Sequence, residues 1–288
     1  PIFRLKANKT DSDAGAGSSS IFDVSATGFQ LNTTSGSYNA SGDTFIYMAI
    51  ARSHKPASEF AATDLWTTDT RGSVNSDEPG FRSTFPVDMA WWDTGVTTAN
   101  AAVRIADRLR GPNYLLAHNS NAESGGSTVL WDYQNGWLTS TGTSTNIRSW
   151  MWRRAKGYFD VVAFEGTGSA LTVNHNLGVT PEFAIIKRRD STSSWEGYIG
   201  PASVRIALET NLQAFSPTTS AWTSLSDSTV VLAAGATDSG ADYIMYLFAS
   251  VDGISKVGSY TGTGSDLNVD CGFSAGARFV MIRRVDTD

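Results

Sequence analysis

The chain has 288 residues, of which 41% are hydrophobic and 17% are charged, and a chain of this length buries about three quarters of its unfolded surface on folding. Its 28 Asp and Glu residues exceed its 22 Lys and Arg residues, and the formal net charge of -6 argues against nucleic acid as the principal partner, because such binding relies on basic surfaces. No apolar run reaches the roughly 18 residues of a membrane helix, so membrane insertion is not expected. The single cysteine, Cys271, can form no internal disulfide, and the three histidines are too scattered to predict a zinc site.

The first candidate site is a pair of acidic residues in a polar loop predicted over residues 10–20. Asp11 and Asp13 alternate before Gly15, and alternating carboxylates with a glycine are part of the calcium-loop pattern. The other acidic ligands of that pattern, including its closing Glu, are absent. Asp11 and Asp13 are therefore candidate metal ligands, with a solvated turn as the favoured interpretation.

Two segments have helical patterns, residues 56–65 and residues 98–109, and Gly111-Pro112 marks the end of the second. Acidic side chains are frequent from the first segment onward, and two carboxylates about 5 to 9 Å apart would suffice for glycoside hydrolysis. The sequence does not supply that distance, and an acidic surface loop is the favoured interpretation. The residues concerned are Glu59, Asp64, Asp69, Asp77 and Glu78.

Strand patterns dominate the rest of the chain. Residues 161–164 and 170–173 are short apolar or alternating runs joined by Glu-Gly-Thr-Gly-Ser, which predicts a β-hairpin. The Gly-Thr-Gly sequence superficially matches a phosphate loop, but a β-prone segment follows where a phosphate loop needs a helix. Residues 183–188 follow a Thr-Pro step, and residues 243–248 are aromatic and β-branched, so both are predicted strands.

An internal repeat runs through the sequence. Residues 166–192 align without a gap on residues 262–288, 96 positions later, with ten of the 27 positions identical. The same offset carries residues 147–155 onto residues 243–251. Residues 45–52 match both of these segments, 198 positions before the second. The sequence therefore contains a duplication.

The repeat divides the chain into the back part of one copy (1–52), a divergent copy (53–153), a clearer copy (154–249) and the front part of another (250–288). Because three repeat lengths equal the length of the chain, we hypothesise that 250–288 packs with 1–52 and completes a third copy. Short strands and frequent Gly, Ser, Thr and Asn turns at this period indicate an all-β fold. We predict tandem antiparallel β-sandwich-like repeats of about 96 residues with few short helices.

Nine tryptophans raise the question of a stacking platform for sugars or bases. In the repeat, Trp150 and Trp152 align with apolar residues of other shapes, which favours core packing over ligand stacking. Four others have no apolar equivalent that we can place, and we expect exposed rings that face a ligand. These candidate ligand-binding residues are Trp66, Trp131, Trp195 and Trp222.

Residue types that carry catalysis occur without a recognisable motif. His118 and His175 lack a Gly-x-Ser-x-Gly elbow, a His-Glu-x-x-His helix or a papain-like cysteine. Cys271 aligns with His175 in the repeat, and a buried inert thiol is expected there. Arg188 and Asp190 recur 96 positions later, which favours a local ion pair over a ligand site. We expect no catalytic residue and no cofactor.

Three segments carry a family resemblance: FDVVAFEGTGS (159–169), NHNLGVTPEF (174–183) and IKRRDS (186–191). They resemble the repeated domain of large structural proteins of tailed bacteriophages, particularly the tail-fibre-like proteins of marine and cyanobacterial phages. Further segments that resemble the same domain are residues 107–111, 258–265 and 271–280.

The resemblance implies a virion structural protein without catalytic residues, made in the host cytoplasm and carried on the tail or particle surface. A tail fibre or tail-associated fibre that acts in assembly and host-surface binding is the expected function. The implied partners are other virion proteins, further copies of the chain, with a trimer expected, and a host-surface glycan or protein. The alternatives are a capsid-surface decoration protein and a tail-borne glycan-degrading enzyme, which would need a groove with two carboxylates, one of them with a raised pKa.

Overall fold

The computed structural model describes residues 3–4, 14–15, 22–24, 29–31, 39–45, 55–71, 79–93, 103–125, 129–139, 147–200, 204–207, 209 and 221–284. Strands dominate these ranges, and the named helical elements within them are two 3-10 helices, Ala57–Glu59 and Ala62–Asp64. All strand pairs are antiparallel. The prediction of an all-β fold with few short helices is confirmed.

The chain divides into two compact units, Pro1–Ser53 and His54–Asp288. The described part of the first unit contains two hairpins. Strand β1 (Phe3–Arg4) pairs with β2 (Ala14–Gly15), and β3 (Phe22–Val24) pairs with β4 (Phe29–Leu31).

The described residues in the first half of the second unit form eight strands in two sheets. In chain order they are β5 (Trp66–Arg71), β6 (Phe81–Arg82), β7 (Met89–Trp92), β8 (Arg104–Asp107), β9 (Leu115–Leu116), β10 (Val129–Leu130), β11 (Gly136–Thr139) and β12 (Ile147–Trp152). One sheet has the order β5-β12-β7-β8-β9, and the other has the order β10-β11-β6. The last strand of the set, β12, therefore pairs with the first, β5.

The second half repeats this arrangement. Its strands are β13 (Phe159–Glu165), β14 (Leu171–Asn174), β15 (Phe183–Arg188), β16 (Glu196–Ile199), β17 (Val204–Ala207), β18 (Trp222–Leu225), β19 (Thr229–Leu232) and β20 (Asp242–Phe248). Their sheet orders are β13-β20-β15-β16-β17 and β18-β19-β14. Each strand of the second set occupies the same sheet position as the strand numbered eight lower in the first set. The duplication in sequence is therefore also a duplication of topology.

Side chains alternate between the two faces of each five-stranded sheet, as the period of a strand requires. In β7, Met89 and Trp91 belong to one apolar cluster, while Ala90 and Trp92 belong to another. The second cluster also contains Phe81 of β6 and Trp137 of β11, so it fills the space between the five-stranded and three-stranded sheets of the first set.

The first cluster joins the two five-stranded sheets to each other. It contains Met89 and Ile105 from one sheet and Phe159, Ile185 and Tyr246 from the other, all at most 3% exposed. Trp152 is buried in the same cluster and Trp150 packs against it, as the repeat predicted. The unit is thus held together by apolar burial on both faces of its five-stranded sheets, which is the main stabilising contribution in such folds.

The predicted helix over residues 98–109 is wrong. Residues 98–102 lie outside the described residues, and Arg104–Asp107 is strand β8, which pairs with β7. Its apolar residues fit the sheet because Ile105 and Ala106 are buried on opposite faces. Tertiary packing on two sides therefore outweighs local helix propensity. The other predicted helix, residues 56–65, forms only the two 3-10 helices.

The predicted strands near the repeat are present, but the predicted hairpin is wrong. Strand β13 pairs with β20, and β14 pairs with β19, so the Gly-Thr-Gly connection crosses from one sheet to the other. Gly168 has a φ of 70° in this turn, as the composition predicted. The predicted strand over residues 183–188 is β15, and residues 243–248 lie within β20.

Candidate assembly surface

Residues 251–284, here called the tail, follow the second set of strands and begin with a turn that repeats the preceding one. Between the two sets, the backbone amides of Ala155 and Phe159 donate to each other's carbonyl groups at 3.1 and 3.2 Å. At the start of the tail, 96 positions later, Val251 and Ser255 do the same at 3.0 and 2.9 Å. Gly253 and its counterpart Gly157 both have positive φ. The backbone therefore forms the same turn at the start of the tail as it forms before β13.

A second turn of the tail also copies its counterpart. Gly264 has a φ of 73°, against 70° for Gly168. The Thr263 hydroxyl donates to the carbonyl oxygen of Ser265 at 3.2 Å, as the Thr167 hydroxyl donates to that of Ser169 at 3.2 Å. Local hydrogen bonding is thus enough to form this turn without neighbouring strands.

The tail nevertheless contains none of the strands that its sequence predicts. Residues 255–261, 267–270 and 279–284 align with β13, β14 and β15, and none of these tail segments pairs with another strand in the described residues. Val280 and Ile282 are 65% and 66% exposed, whereas their counterparts Ala184 and Ile186 are 0% and 4% exposed. Further large apolar side chains are exposed along the tail: Tyr260, Leu267, Val269, Phe279 and Met281.

One aromatic side chain fixes the tail against the first set of strands. Phe279, the counterpart of Phe183, lies 5.4 Å from the Trp152 ring between centroids, 6.2 Å from Trp66 and 6.0 Å from Trp91. Such contacts stabilise by roughly 0.5 to 1.5 kcal/mol each beyond area burial. Val251, Ile254 and Val257 at the start of the tail also pack against the apolar cluster. The rest of the tail exposes large apolar side chains and forms no strand in the described residues, and exposed apolar patches of this kind mark interaction sites.

The two sets of strands, residues 55–249, are here called the platform. A buried ion pair helps to join its two halves. Arg110 Nε donates to Asp107 Oδ2 at 2.5 Å, and both side chains are fully buried. The Tyr246 hydroxyl donates to the same oxygen at 2.8 Å and accepts from Arg110 Nη2 at 2.8 Å. Asp107 and Arg110 come from the first set of strands and Tyr246 from the second, so the triad links the two halves.

Protonation follows from this geometry. Burial alone would lower the pKa of Arg110, but the charge and hydrogen bond of Asp107, together with Tyr246 and Glu123, outweigh burial and raise that pKa above its ordinary value. Burial raises the pKa of Tyr246 well above its ordinary value. Arg110 is therefore charged and Tyr246 is a neutral phenol at ordinary pH, and the two side chains are hydrogen-bonded to each other.

Two more contacts join the halves. Arg189 forms a two-fold ion pair with Glu123, at 3.0 and 3.1 Å. The indole Nε1 of Trp195 donates to the carbonyl oxygens of Leu116 and Asn119 at 3.1 and 3.0 Å.

Trp195→Phe should lower the free energy of unfolding by about 1 to 2 kcal/mol, because it removes the donor from two partly buried carbonyl groups while keeping an aromatic ring. Trp66→Phe is the matched control, since the Trp66 Nε1 donates no hydrogen bond within the described residues. Urea titration followed by far-UV circular dichroism measures both losses, because each variant removes a tryptophan fluorophore. Equal losses in the two variants would contradict a role for the Trp195 hydrogen bonds.

Lys187 is a buried amine at the same boundary. Its Nζ donates to the carbonyl oxygens of Arg188 at 2.7 Å and Ser120 at 3.3 Å. Burial lowers the pKa of Lys187 to about 8, with Glu209 and Asp190 acting upward and Arg110 and Arg188 acting downward.

Stability should therefore rise with pH between about 8 and 9.5. In that range the unfolded chain, with its ordinary lysine pKa of 10.5, binds a proton that the folded chain has released. Urea midpoints measured across this range test the slope, and Lys187→Met should flatten it. A slope that is unchanged in Lys187→Met would contradict the assignment.

Three of the four tryptophans proposed as exposed, ligand-facing rings are buried, so that expectation is wrong for them. Trp131 is 4%, Trp195 is 1% and Trp222 is 6% exposed. Trp66 is half-buried beside Trp152. The repeat could not reveal this burial, because no apolar equivalent in another copy could be placed for any of the three.

The other candidate residues are not brought together as a site. Asp11 and Asp13 lie outside the described residues, as do Asp77 and Glu78. Asp64 accepts from the backbone of Ala61, Asp69 accepts from the backbone of Thr70 and Arg82, and Glu59 lies 3.9 Å from Lys55. Among the described residues, no group of three or more His, Cys, Asp or Glu side chains is arranged to hold a metal ion.

His175 and Cys271, which align in the repeat, differ in environment. His175 is buried, its Nδ1 accepts from the Leu177 amide at 3.2 Å, and burial lowers its pKa. Cys271 is half-exposed, so the expectation of a buried thiol is wrong. Arg188 and Asp190 form the expected local ion pair at 2.7 Å. In the described part of the chain no helix is long and apolar enough to cross a membrane.

A family model described as "Domain of unknown function (DUF7483)" matches residues 116–288, which is more than half of the chain. The chain belongs to this family. The DUF7483 match starts at the last residue of β9 and extends through β10 to β20 and the tail. The boundaries of the family unit therefore fall within a set of strands and include the unpaired tail. Comparisons with curated proteins and with solved structures found no match.

Proposed function

We propose that this chain is a structural protein of a bacteriophage virion, a tail fibre or tail-associated fibre that acts through assembly and host-surface binding. The observation that carries the proposal is the repeated strand topology of the described residues, in which two sets of strands are joined through one apolar cluster. The resemblance of residues 159–169, 174–183 and 186–191 to phage tail-fibre-like repeats supports the same function.

The way in which the two halves of the platform are joined suits a structural protein that bears mechanical load. Its two halves are joined by a shared apolar cluster and by the buried contacts of Arg110, Arg189 and Trp195. Large apolar interfaces favour a fixed arrangement over domain motion. Other virion proteins and further copies of the chain, as a trimer, are the proposed partners, together with a host-surface glycan or protein.

The test is a cryo-EM reconstruction of a phage particle that carries this chain, with the chain marked by a bound Fab fragment. Density on the tail in threefold arrangement is expected. Density spread over the head lattice would overturn the fibre in favour of a capsid decoration protein. Shortening of host-surface polysaccharide by the purified chain would overturn the proposal of a function without a chemical step.

A further inference from the structure

The tail contains the segments that align with the first three strands of an eight-strand set, so five further strands are needed to complete the set. In the complete sets these five form two successive hairpins, β16 with β17 and β18 with β19, followed by β20. The N-terminal unit has the same succession. Its described hairpins are β1 with β2 and β3 with β4, and residues 45–52 follow, which align with β20.

The turn before residue 45 matches the turn before β20. The Asp43 amide donates to the Ala40 carbonyl at 3.3 Å, as the Ala241 amide donates to the Asp238 carbonyl at 3.3 Å. Gly42 and its counterpart Gly240 have φ values of 86° and 71°. This turn is therefore already formed in the N-terminal unit.

In the complete second set, that turn receives the connection between β13 and β14. The Gly166 amide donates to the Ala241 carbonyl at 2.8 Å, and the Gly240 amide donates to the Gly166 carbonyl at 2.8 Å. A β-carbon at Gly166 would collide with the Asp238 carbonyl oxygen. In the tail, Gly262 is the counterpart of Gly166, and a β-carbon there meets nothing within 4 Å.

We propose that the tail and residues 3–52 of the same chain combine into a third eight-strand sandwich. The register follows from the second set, in which Glu165 is opposite Asp242. The same offsets place Thr261 opposite Thr44 and Tyr260 opposite Phe45. Tyr260 is 50% exposed and Phe45 is 44% exposed, and their counterparts Phe164 and Tyr243 stack with ring centroids 5.4 Å apart.

The same chain supplies both parts because the relevant segments of the His54–Asp288 unit lie side by side. The residues that follow the N-terminal unit and the residues that begin the tail line one cleft of about 590 Å³, formed by Ser58, Phe60, Ser250, Val251, Asp252 and Ile254. A tethered segment that starts beside its binding surface has a high effective concentration, and it outcompetes a second copy at low protein concentration.

The test is a disulfide between the two predicted neighbours. Thr44→Cys and Thr261→Cys are introduced together into the full chain with Cys271→Ser, and dilute protein is oxidised with copper phenanthroline and oxygen. Directly opposite strand residues lie within the span of a disulfide. Glu165→Cys with Asp242→Cys is the control pair, because these residues are opposite each other in the complete set.

We expect an intramolecular disulfide in the Thr44 and Thr261 variant with a yield similar to that of the control pair, seen by non-reducing gel and peptide mass. Disulfide-linked dimers or ladders would overturn the proposal, since a second copy would then supply the strands. Formation of the control disulfide without the other would overturn it as well.

Two glycine substitutions test the proposed register further. Adding Gly262→Ala to the cysteine variant should reduce the disulfide yield at least tenfold, because the new β-carbon meets the Ala40 carbonyl in the proposed sandwich. Gly258→Ala should leave the yield unchanged, since its counterpart in the complete set is Val162, which already carries a larger side chain. An equal yield in the two variants would overturn the proposed register.

Discussion

Asp107→Asn should lower the free energy of unfolding by about 3 to 5 kcal/mol. The substitution keeps the shape of the side chain but removes the charge that faces Arg110, and both side chains are fully buried. Arg110 Nε donates to Asp107 Oδ2, and a buried guanidinium that loses this carboxylate is costly, because burial has removed its hydration without an opposite charge to replace it. Urea titration followed by tryptophan fluorescence provides the measurement.

The control is a pair of the same chemistry on the surface. Asp190→Asn removes the carboxylate that faces Arg188, but these side chains are 39% and 22% exposed and Arg188 also contacts Asp238. We expect no measurable shift of its urea midpoint, since exposed pairs are screened by solvent. An Asp107→Asn loss as small as that of Asp190→Asn would contradict the buried pair.

Removing both charges separates the cost of an unpaired charge from the contribution of the pair. Asp107→Asn combined with Arg110→Met should recover at least half of the loss caused by Asp107→Asn alone, because a well-packed apolar replacement of a buried pair is often close to neutral. A double variant that is less stable than Asp107→Asn would show that the guanidinium is stabilised mainly by Tyr246 and Ile105, to which it also donates.

The strand content and the repeat could be predicted because both depend on local sequence. The Thr-Pro step before residues 183–188 and the aromatic run of residues 243–248 are properties of a few neighbouring positions, and both segments are strands. The offset of 96 recurs in the structure as two sets of strands with one topology. Propensity failed at residues 104–107, where burial on both faces decides between helix and strand.

The contacts that join the two halves could not be predicted. Arg110 and Tyr246 are 136 positions apart, and Trp195 lies 79 positions from Leu116, so no local pattern connects them. The repeat gave no signal either, because the side chains of this boundary differ between the copies. A buried arginine also has no distinctive sequence pattern, since the same residue type is usually exposed.

Trp137→Ala should lower the free energy of unfolding by about 3 to 5 kcal/mol. The Trp137 ring is fully buried, with centroids 5.2 Å from Phe81, 5.4 Å from Trp131 and 5.0 Å from Trp92. Removing the ring leaves a cavity between the five-stranded and three-stranded sheets, and three aromatic neighbours are too rigid to fill it. The loss is measured by urea titration with far-UV circular dichroism, because the variant also changes tryptophan fluorescence.

Trp137→Phe separates the loss of the indole hydrogen bond from the loss of the whole ring. It keeps a ring between Phe81 and Trp131 but removes the indole donor that binds the buried Ser149 hydroxyl at 3.0 Å, and a cost of about 1 to 2 kcal/mol is expected. Because the two halves share one apolar cluster and the Asp107 triad, both Trp137 variants should shift a single unfolding transition. Two separate transitions would mean that the halves unfold independently, and they would contradict the fixed platform on which the tail is proposed to assemble.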